Sequence, residues 1–325
     1  MGAEYPSRRA GARSKWRPTE PAVRLGRRPF DHKVTTHRPM LPIIGFAIVI
    51  FSVMGGYVLN SGHIAVLWQP FEFLIILGSA VGAYVTSNTS TILGITGKEL
   101  GHLLKGPQYK KEHYLELLTL LFQVFKIAKT KGLLALEQHI EKPEESPLFQ
   151  QFPKFYGNHH AVSFVCDYLR LMSLGADNPH QLGDLLDEEL EAHHYEYMRV
   201  AEALQSVADG IPALGIVAAV LGVIHTMGAI TEPPEVLGHL IGGALVGTFC
   251  GVFFAYGFIG PMASGLKAIY ATEFKYFQCI KAGLLAHLSG YAPAISVEYA
   301  RKVLPSELRP SFTEVEEATA ALPPA

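Results

Sequence analysis

Four stretches of the chain are apolar for long enough to cross a bilayer core, which takes about 17–25 residues of helix. They are "LPIIGFAIVIFSVMGGYVL" from Leu41, "FEFLIILGSAVGAYVTS" from Phe71, "DGIPALGIVAAVLGVIHTMG" from Asp209 and "HLIGGALVGTFCGVFFAYGFIG" from His239. The second is the weakest, being short and carrying Glu72 at its edge. Between the second and third lies a segment of different character. "HYLELLTLLFQVFKIAKT" has apolar residues on most faces and predicts a packed helix. "LGDLLDEELEAHHYEYMRVAEALQSVAD" is amphipathic and acidic, and predicts a helix that runs unbroken into the third span. The stretch between them, "EKPEESPLFQQFPKFYGN", reads as a turn-containing connection. Strand-like alternation is scarce and no internal repeat is visible.

The pattern predicts an all-α polytopic membrane protein with four transmembrane helices and a large helical cytoplasmic domain. Its divisions are a basic extension over 1–39, two spans over 40–90, a helical domain over 91–208, two spans over 209–261, and a helical segment and tail over 262–325.

Charge sets the orientation. The connections Asn60 to Pro70 and Thr231 to Gly238 hold no Lys or Arg, whereas 91–208 holds eleven and the tail after Pro261 holds six. Basic residues stay on the cytoplasmic side, so both short loops are expected outside, with both termini and the middle segment inside. Only 17% of the residues are charged, against about 25% in soluble domains. Residues 1–39 carry a net charge of +7 and the remainder −9. That Pro/Arg-rich start is expected to be a solvated, disordered tail with no nucleic-acid partner, or the product of a misassigned start with Met40 the natural one. No signal-peptide pattern is visible. Cys166, Cys250 and Cys279 are too scattered for a disulfide framework or a zinc site, and are expected to be buried thiols.

Ionisable groups inside a membrane are functional candidates by default, and these spans offer almost none. Glu72, Asp209 and His239 are expected at span edges, with His225 alone well inside an apolar run. If ions move by carboxylate protonation, the carboxylate is then expected from another chain. Small residues recur every fourth position instead: Gly215 and Ala219, Ala218 and Gly222, and Gly243, Gly247 and Gly251. Such faces let helix backbones approach closely. They suit packing between spans of one chain or, in the sharper reading, packing of Gly215, Gly222, Gly243, Gly247 and Gly251 against a partner's helix. Thr248 is the hydroxyl on this face, with a back-bond to the preceding turn as its plainer fate. Pro212 and Pro261 bracket the pair at the cytoplasmic side and read as helix-boundary residues in preference to hinges.

The third and fourth spans, the tail "GYAPAISVEYARKVLPSELRPSFTEVEE", "QPFEFLII" at the second span, "CDYLRLMSLG" at Cys166 and "LLDEELEAHH" at Leu185 together resemble flagellar motor stator subunits of the MotA family. The similarity runs in order from Met40 to about Thr319. The resemblance implies a homopentameric ring around two copies of a MotB-type, peptidoglycan-anchored partner, which supplies the ion-binding aspartate, and a cytoplasmic domain that engages a switch-complex protein of the rotor. It implies an ion path past Thr248, Ala219, Pro212 and Pro261 in the bacterial inner membrane. Alanine at 219, where sodium-driven relatives tend to carry threonine, favours protons. It also implies rotor contact through Glu137 and Lys129, with Lys131 beside them; Lys129 departs from the family's usual arginine, which matters where a bidentate pair is required.

Two readings compete: an ExbB/TolQ-like energiser of outer-membrane transport, which would have three spans, and a structural scaffold without ion flux. No nucleophile, metal or phosphate-loop pattern appears, so neither catalysis nor a cofactor is expected. "EAHHYE" and "NHH" lack the spacing of a helical zinc site and read as surface histidines. The acidic cluster Asp184, Asp187, Glu188, Glu189 and Glu191 reads as a solubilising face.

Overall fold

The computed structural model describes residues 40–323; the basic extension expected over 1–39 lies outside them. Every regular element among the described residues is helical: α1 (Leu41–Leu59), α2 (Ile64–Leu67), α3 (Pro70–Ser87), α4 (Ser90–Lys105), α5 (Lys111–Lys131), α6 (Glu137–Glu141), α7 (Pro147–Gln150), α8 (Pro153–Tyr156), α9 (His159–Ser173), α10 (Pro179–Gly228), α11 (Pro234–Phe254), α12 (Gly260–Leu288), α13 (Pro293–Val303) and α14 (Phe312–Ala320). Four stretches are long and apolar enough to cross a membrane: α1, α2–α3, α10 and α11–α12.

The third span is the end of a 50-residue helix. At 1.5 Å per residue it is about 75 Å long, more than twice a bilayer core of about 30 Å, so its first half stands clear of the membrane. Asn178 starts it: the side-chain oxygen accepts from the His180 and Gln181 amides, and Pro179 follows with its φ already helical. The fourth span continues likewise. A π-turn over Ala255–Ile259 joins α11 to α12, and the combined helix runs 55 residues.

This corrects the reading of both prolines as boundary residues. Pro212 lies inside α10, where it leaves the Ala208 carbonyl without its helical donor, and the helix continues because packing on both sides holds it. Pro261 follows the π-turn directly and the helix runs on past it. π-turns widen a helix by one residue and are frequent at functional positions.

The cytoplasmic core is built around α5. Tyr114, Leu117, Leu118, Leu120, Leu121, Val124 and Phe125 are fully buried, as expected of a helix apolar on most faces, and α12, α13 and α14 close over it. The connection before α9 is more ordered than its composition suggests. Pro143, Pro147 and Pro153 each open a single helical turn, and between them Leu148, Phe149, Phe152 and Phe155 drop into the core. All three cysteines are free and buried.

Of the histidines expected at the surface, His159 and His160 are exposed, whereas His193 and His194 are half-buried. "NHH" and "EAHHYE", 33 positions apart, meet where α9 crosses α10: His160 and His193 stack at 4.3 Å and both pack on Phe277. Burial and the neighbouring imidazoles push His193 down to about 4. The folded state thus holds His193 neutral, while the unfolded chain protonates near 6.5. Stability must fall as pH drops from 6.5 to 4, by on the order of 1 kcal/mol from this half-buried group once solvent screening is allowed for. In thermal melts of the detergent-solubilised chain, His193→Phe should flatten that fall; an unchanged slope would reject the assignment.

Candidate functional site

The site forms where α10 and α11 cross at backbone contact. A Cβ added to Gly215 would lie 2.8 Å from the Gly247 carbonyl oxygen and 2.9 Å from the Gly251 Cα. One on Gly251 would meet Gly215 Cα at 2.9 Å, and one on Gly222 would meet Ala244 Cα at the same distance. Real side-chain carbons do not approach backbone so closely, so these positions admit glycine alone. Gly215, Gly222, Gly247 and Gly251 therefore join two spans of the same chain. Packing between spans of one chain, the plainer of the two expectations, accounts for these four glycines, while Gly243 faces the Gln69 side chain.

A second correction concerns the carboxylate. Glu72, expected at a span edge, reaches into the seam: its Oε1 lies 3.2 Å from the Cβ position of Gly222 and its Oε2 2.9 Å from that of Gly247. Gly247 also approaches the Ala219 amide nitrogen, 3.0 Å from the same point. The Oε2 is buried and has no hydrogen-bond partner. Two features of the fold move Glu72 inward. The helix of the fourth span begins at Pro234, five residues before the apolar run that marks it, and so is longer at that end than its hydropathy suggests. The connection between the first two spans folds back as α2, placing Val66 against Gly242 and Leu67 among the apolar residues of the bundle. A one-turn helix with no glycine or charge to announce it gave no periodic signal.

Gln69 follows the same course. Its side-chain nitrogen donates to the Val66 carbonyl at 3.2 Å and lies 3.2 Å from the Cβ position of Gly243. Gln69, Glu72, Gly222, His225, His239 and Gly243 line one open cavity of about 460 Å³. Of the ionisable residues noted in the spans, three thus converge on one place.

Ala219 and Thr248 sit half-buried on the rows adjoining the seam. Thr226 back-bonds to the Gly222 carbonyl at 2.9 Å, but the Thr248 hydroxyl makes no hydrogen bond with the described residues, so the plainer fate does not apply. At the far end of the seam, a Cβ on Gly260, next to Pro261, would lie 3.9 Å from the Ala208 Cβ, whose carbonyl Pro212 leaves unpaired. The two weakened helical turns are adjacent in space.

The remaining candidates form a separate patch on the cytoplasmic domain. Lys131 and Glu137 are exposed on the rim of one open groove with Leu134, which is 75% exposed. Lys129 turns away toward the Gly290 carbonyl at 3.5 Å. Glu141, on the same groove, is tied to Arg170 at 2.8 Å. Part of the acidic cluster is also engaged: Asp187 pairs with Lys281, and Glu189 accepts from the Tyr168 hydroxyl. No cluster of metal-ligating side chains occurs among the described residues.

Fold and site define a four-span membrane protein whose polar groups collect beside a glycine-packed helix pair. Comparison with known proteins gives its family. Residues 43–132 match the model for the N-terminal part of motility protein A, and residues 159–279 match that of the MotA/TolQ/ExbB proton channel family. Motility protein A of Salmonella typhimurium is 42% identical over 283 residues, covering 87% of this chain and 96% of that protein. The chemotaxis protein LafT of Vibrio parahaemolyticus is 34% identical, covering 86% and 98%. The flagellar MotAB stator complex from Bacillus subtilis is similar in structure at TM-score 0.62 and 26% identity, over 79% of this chain and 92% of that one. The C. jejuni MotAB structure shares the fold at TM-score 0.68 and 22% identity, over 82% and 96%. The chain belongs to the motility protein A family.

The seam makes a direct prediction. Gly251→Val should prevent accumulation of folded protein in the membrane, whereas Gly45→Val, in α1 with nothing within 4 Å of its Cβ position, should be tolerated. Equal amounts of membrane-extracted protein from the two variants would show that α10 and α11 do not approach as described.

Proposed function

We infer that this chain is a stator subunit of the bacterial flagellar motor, forming with a MotB-type partner a proton channel whose ion flow drives torque on the rotor. The observation that carries the reading is the end-to-end match to motility protein A, over 96% of that protein's length at 42% identity. The match to the proton-channel model across the third and fourth spans supports the channel, and the match of the first two spans to the motility-protein model speaks against the ExbB/TolQ alternative. Such a protein is not an enzyme. The distribution of Lys and Arg supports a chain with both termini on the cytoplasmic side of the inner membrane.

The mechanism we infer assigns each part of the site a task. The partner's membrane carboxylate meets the half-buried row that bears Ala219 and Thr248. The free hydroxyl of Thr248 can pass or orient a proton beside it, whereas a sodium ion would need several oxygen ligands that this row lacks. Neutralising the partner's carboxylate removes its pull on ordered dipoles, and the surrounding ring of subunits, a pentamer in this reading, moves against the partner. Pro212 and the π-turn before Pro261 are the softened turns that take up the displacement, and the continuous helices carry it to the cytoplasmic domain. Lys131 and Glu137, both exposed, and Lys129 at the end of α5 then act on charges of the rotor.

Rotation of tethered cells lacking the native gene tests this reading. Residues 40–325 should restore rotation to paralysed cells that already bear filaments; missing filaments in the deletion strain would point to an assembly scaffold. Pro212→Leu should abolish rotation with the protein still in the membrane, since leucine restores the amide that the softened turn lacks. Glu137→Lys should only weaken torque, because exposed ion pairs contribute about 0–1 kcal/mol each. A reversal at Glu137 as severe as Pro212→Leu would contradict steering by distributed charge.

A further inference from the structure

We propose that Glu72 is a proton-binding site of this chain, loaded from the outward cavity it shares with His225 and His239 and placed ahead of the partner's carboxylate on the ion path. The inference rests on the channel reading above and adds to it a second protonatable group, one that belongs to the ring and not to the partner.

Three observations carry it. The carboxylate is built in, not left at an edge. It fills the space that Gly222 and Gly247 leave by having no side chains, and a Cβ at Gly247 would come within 2.9 Å of its Oε2. That oxygen is buried without a hydrogen-bond donor. Among the described residues no Lys or Arg lines the cavity around it, and the stretches 41–97 and 200–266 contain neither residue. A carboxylate with one oxygen buried away from any donor is disfavoured as an anion and stabilised by taking up a proton. A structural carboxylate would be expected to have found a partner; this one is left open.

The cavity supplies a route. Its mouth lies at the end of the bundle where α3 and α11 begin and α10 ends, beside the two connections that lack basic residues. The titratable groups that face Glu72 are His225 from α10, and His239 and Cys250 from α11, with the uncharged Gln69 on its own stretch. His225 and His239 present their imidazoles to this cavity and suit the task of passing protons on from outside water. At its inner side the carboxylate adjoins Gly247 and the Ala219 amide, on the row assigned to the ion path.

The step is a proton exchange without electron transfer. A hydronium ion or an imidazolium in the cavity gives its proton to the Glu72 carboxylate, leaving water or neutral imidazole and forming the carboxylic acid. The acid then releases that proton to the next base inward, the partner's carboxylate, and returns to the anion. One proton moves one place inward per cycle.

The test uses the whole complex with its partner, reconstituted in vesicles and compared across outside pH, with proton uptake as one readout. The second readout is the infrared stretch of a protonated carboxyl group. Glu72→Gln, which keeps size and shape, should assemble but conduct several-fold more slowly, with the deficit widening as outside pH rises and free protons become scarce. His225→Gln with His239→Gln should slow proton uptake and steepen its dependence on outside pH. A carboxyl band that titrates with outside pH should be present in the unaltered complex, absent in Glu72→Gln and shifted in Glu72→Asp. Conduction by Glu72→Gln equal to the unaltered complex at every pH would overturn the proposal while leaving the channel reading intact. An unaltered complex that passes no protons would instead sink the channel reading, and the infrared titration would still decide whether Glu72 binds a proton. If Glu72→Gln fails to assemble, the band decides through Glu72→Asp: a band that does not shift belongs to another group, and the proposal falls.

Discussion

Backbone contact between α10 and α11 is the constraint from which the rest of the membrane part follows. Lipid gives two apolar helices no hydrophobic reason to associate, so shape must hold them. Here the shape is glycine against backbone at Gly215, Gly247 and Gly251, with Gly222 on Ala244. The close approach determines which residues are left over. It occupies Gly215, Gly222, Gly247 and Gly251, leaves Gly243 facing Gln69 and the cavity, and opens a slot between Gly222 and Gly247 that Glu72 fills from α3. Enlarging any of these glycines would separate the spans and remove the slot in the same step.

The second consequence is mechanical. Because α10 and α11–α12 continue past the membrane as unbroken helices, the seam and the cytoplasmic core are two ends of the same rods. Leu182, Leu186 and Leu190 of α10 and Tyr276, Phe277 and Ile280 of α12 are buried in the core around α5, while Ile211, Ala218 and Val246 are buried in the membrane bundle. A rod that is stiff everywhere would tie these ends rigidly. Both rods are weakened at one shared level, where Pro212 removes a helical donor and the π-turn precedes Pro261. Placing the two weak turns side by side lets the pair bend together without tearing the seam above or the core below.

The spans, the long acidic helix entering the third of them and the buried α5 were legible because each carries a sustained pattern of apolar positions. The identity of the glycine rows was legible from their spacing, but their use was not: spacing shows that a helix can approach closely, and only the fold shows to what. Glu72 was misplaced for a definable reason. Hydropathy locates a residue along its own helix, whereas its depth depends on where the neighbouring helices begin and on α2 folding inward with four residues that show no periodicity. The meeting of His160 with His193 was hidden for the same reason, since it joins residues of α9 and α10 that no single helix pattern relates. Pro212 was read locally, where proline does favour helix starts; tertiary packing outweighed that preference in a helix held on both sides.

A closed seam also limits where a partner can sit. If the glycine rows faced outward, a partner's helix could lie directly against backbone and nothing polar would line the contact. With those rows consumed, a helix approaching from outside meets side chains instead, and Ala219 and the unbonded Thr248 are the small and polar ones at the edge of the seam. An ion path along that edge runs past an open hydroxyl on one side and, one helix row away, the slot that holds Glu72. The same packing that joins the two spans therefore brings the chain's own carboxylate beside Gly247 and the Ala219 amide, which is the arrangement that the proposed handing of a proton from one carboxylate to the next requires.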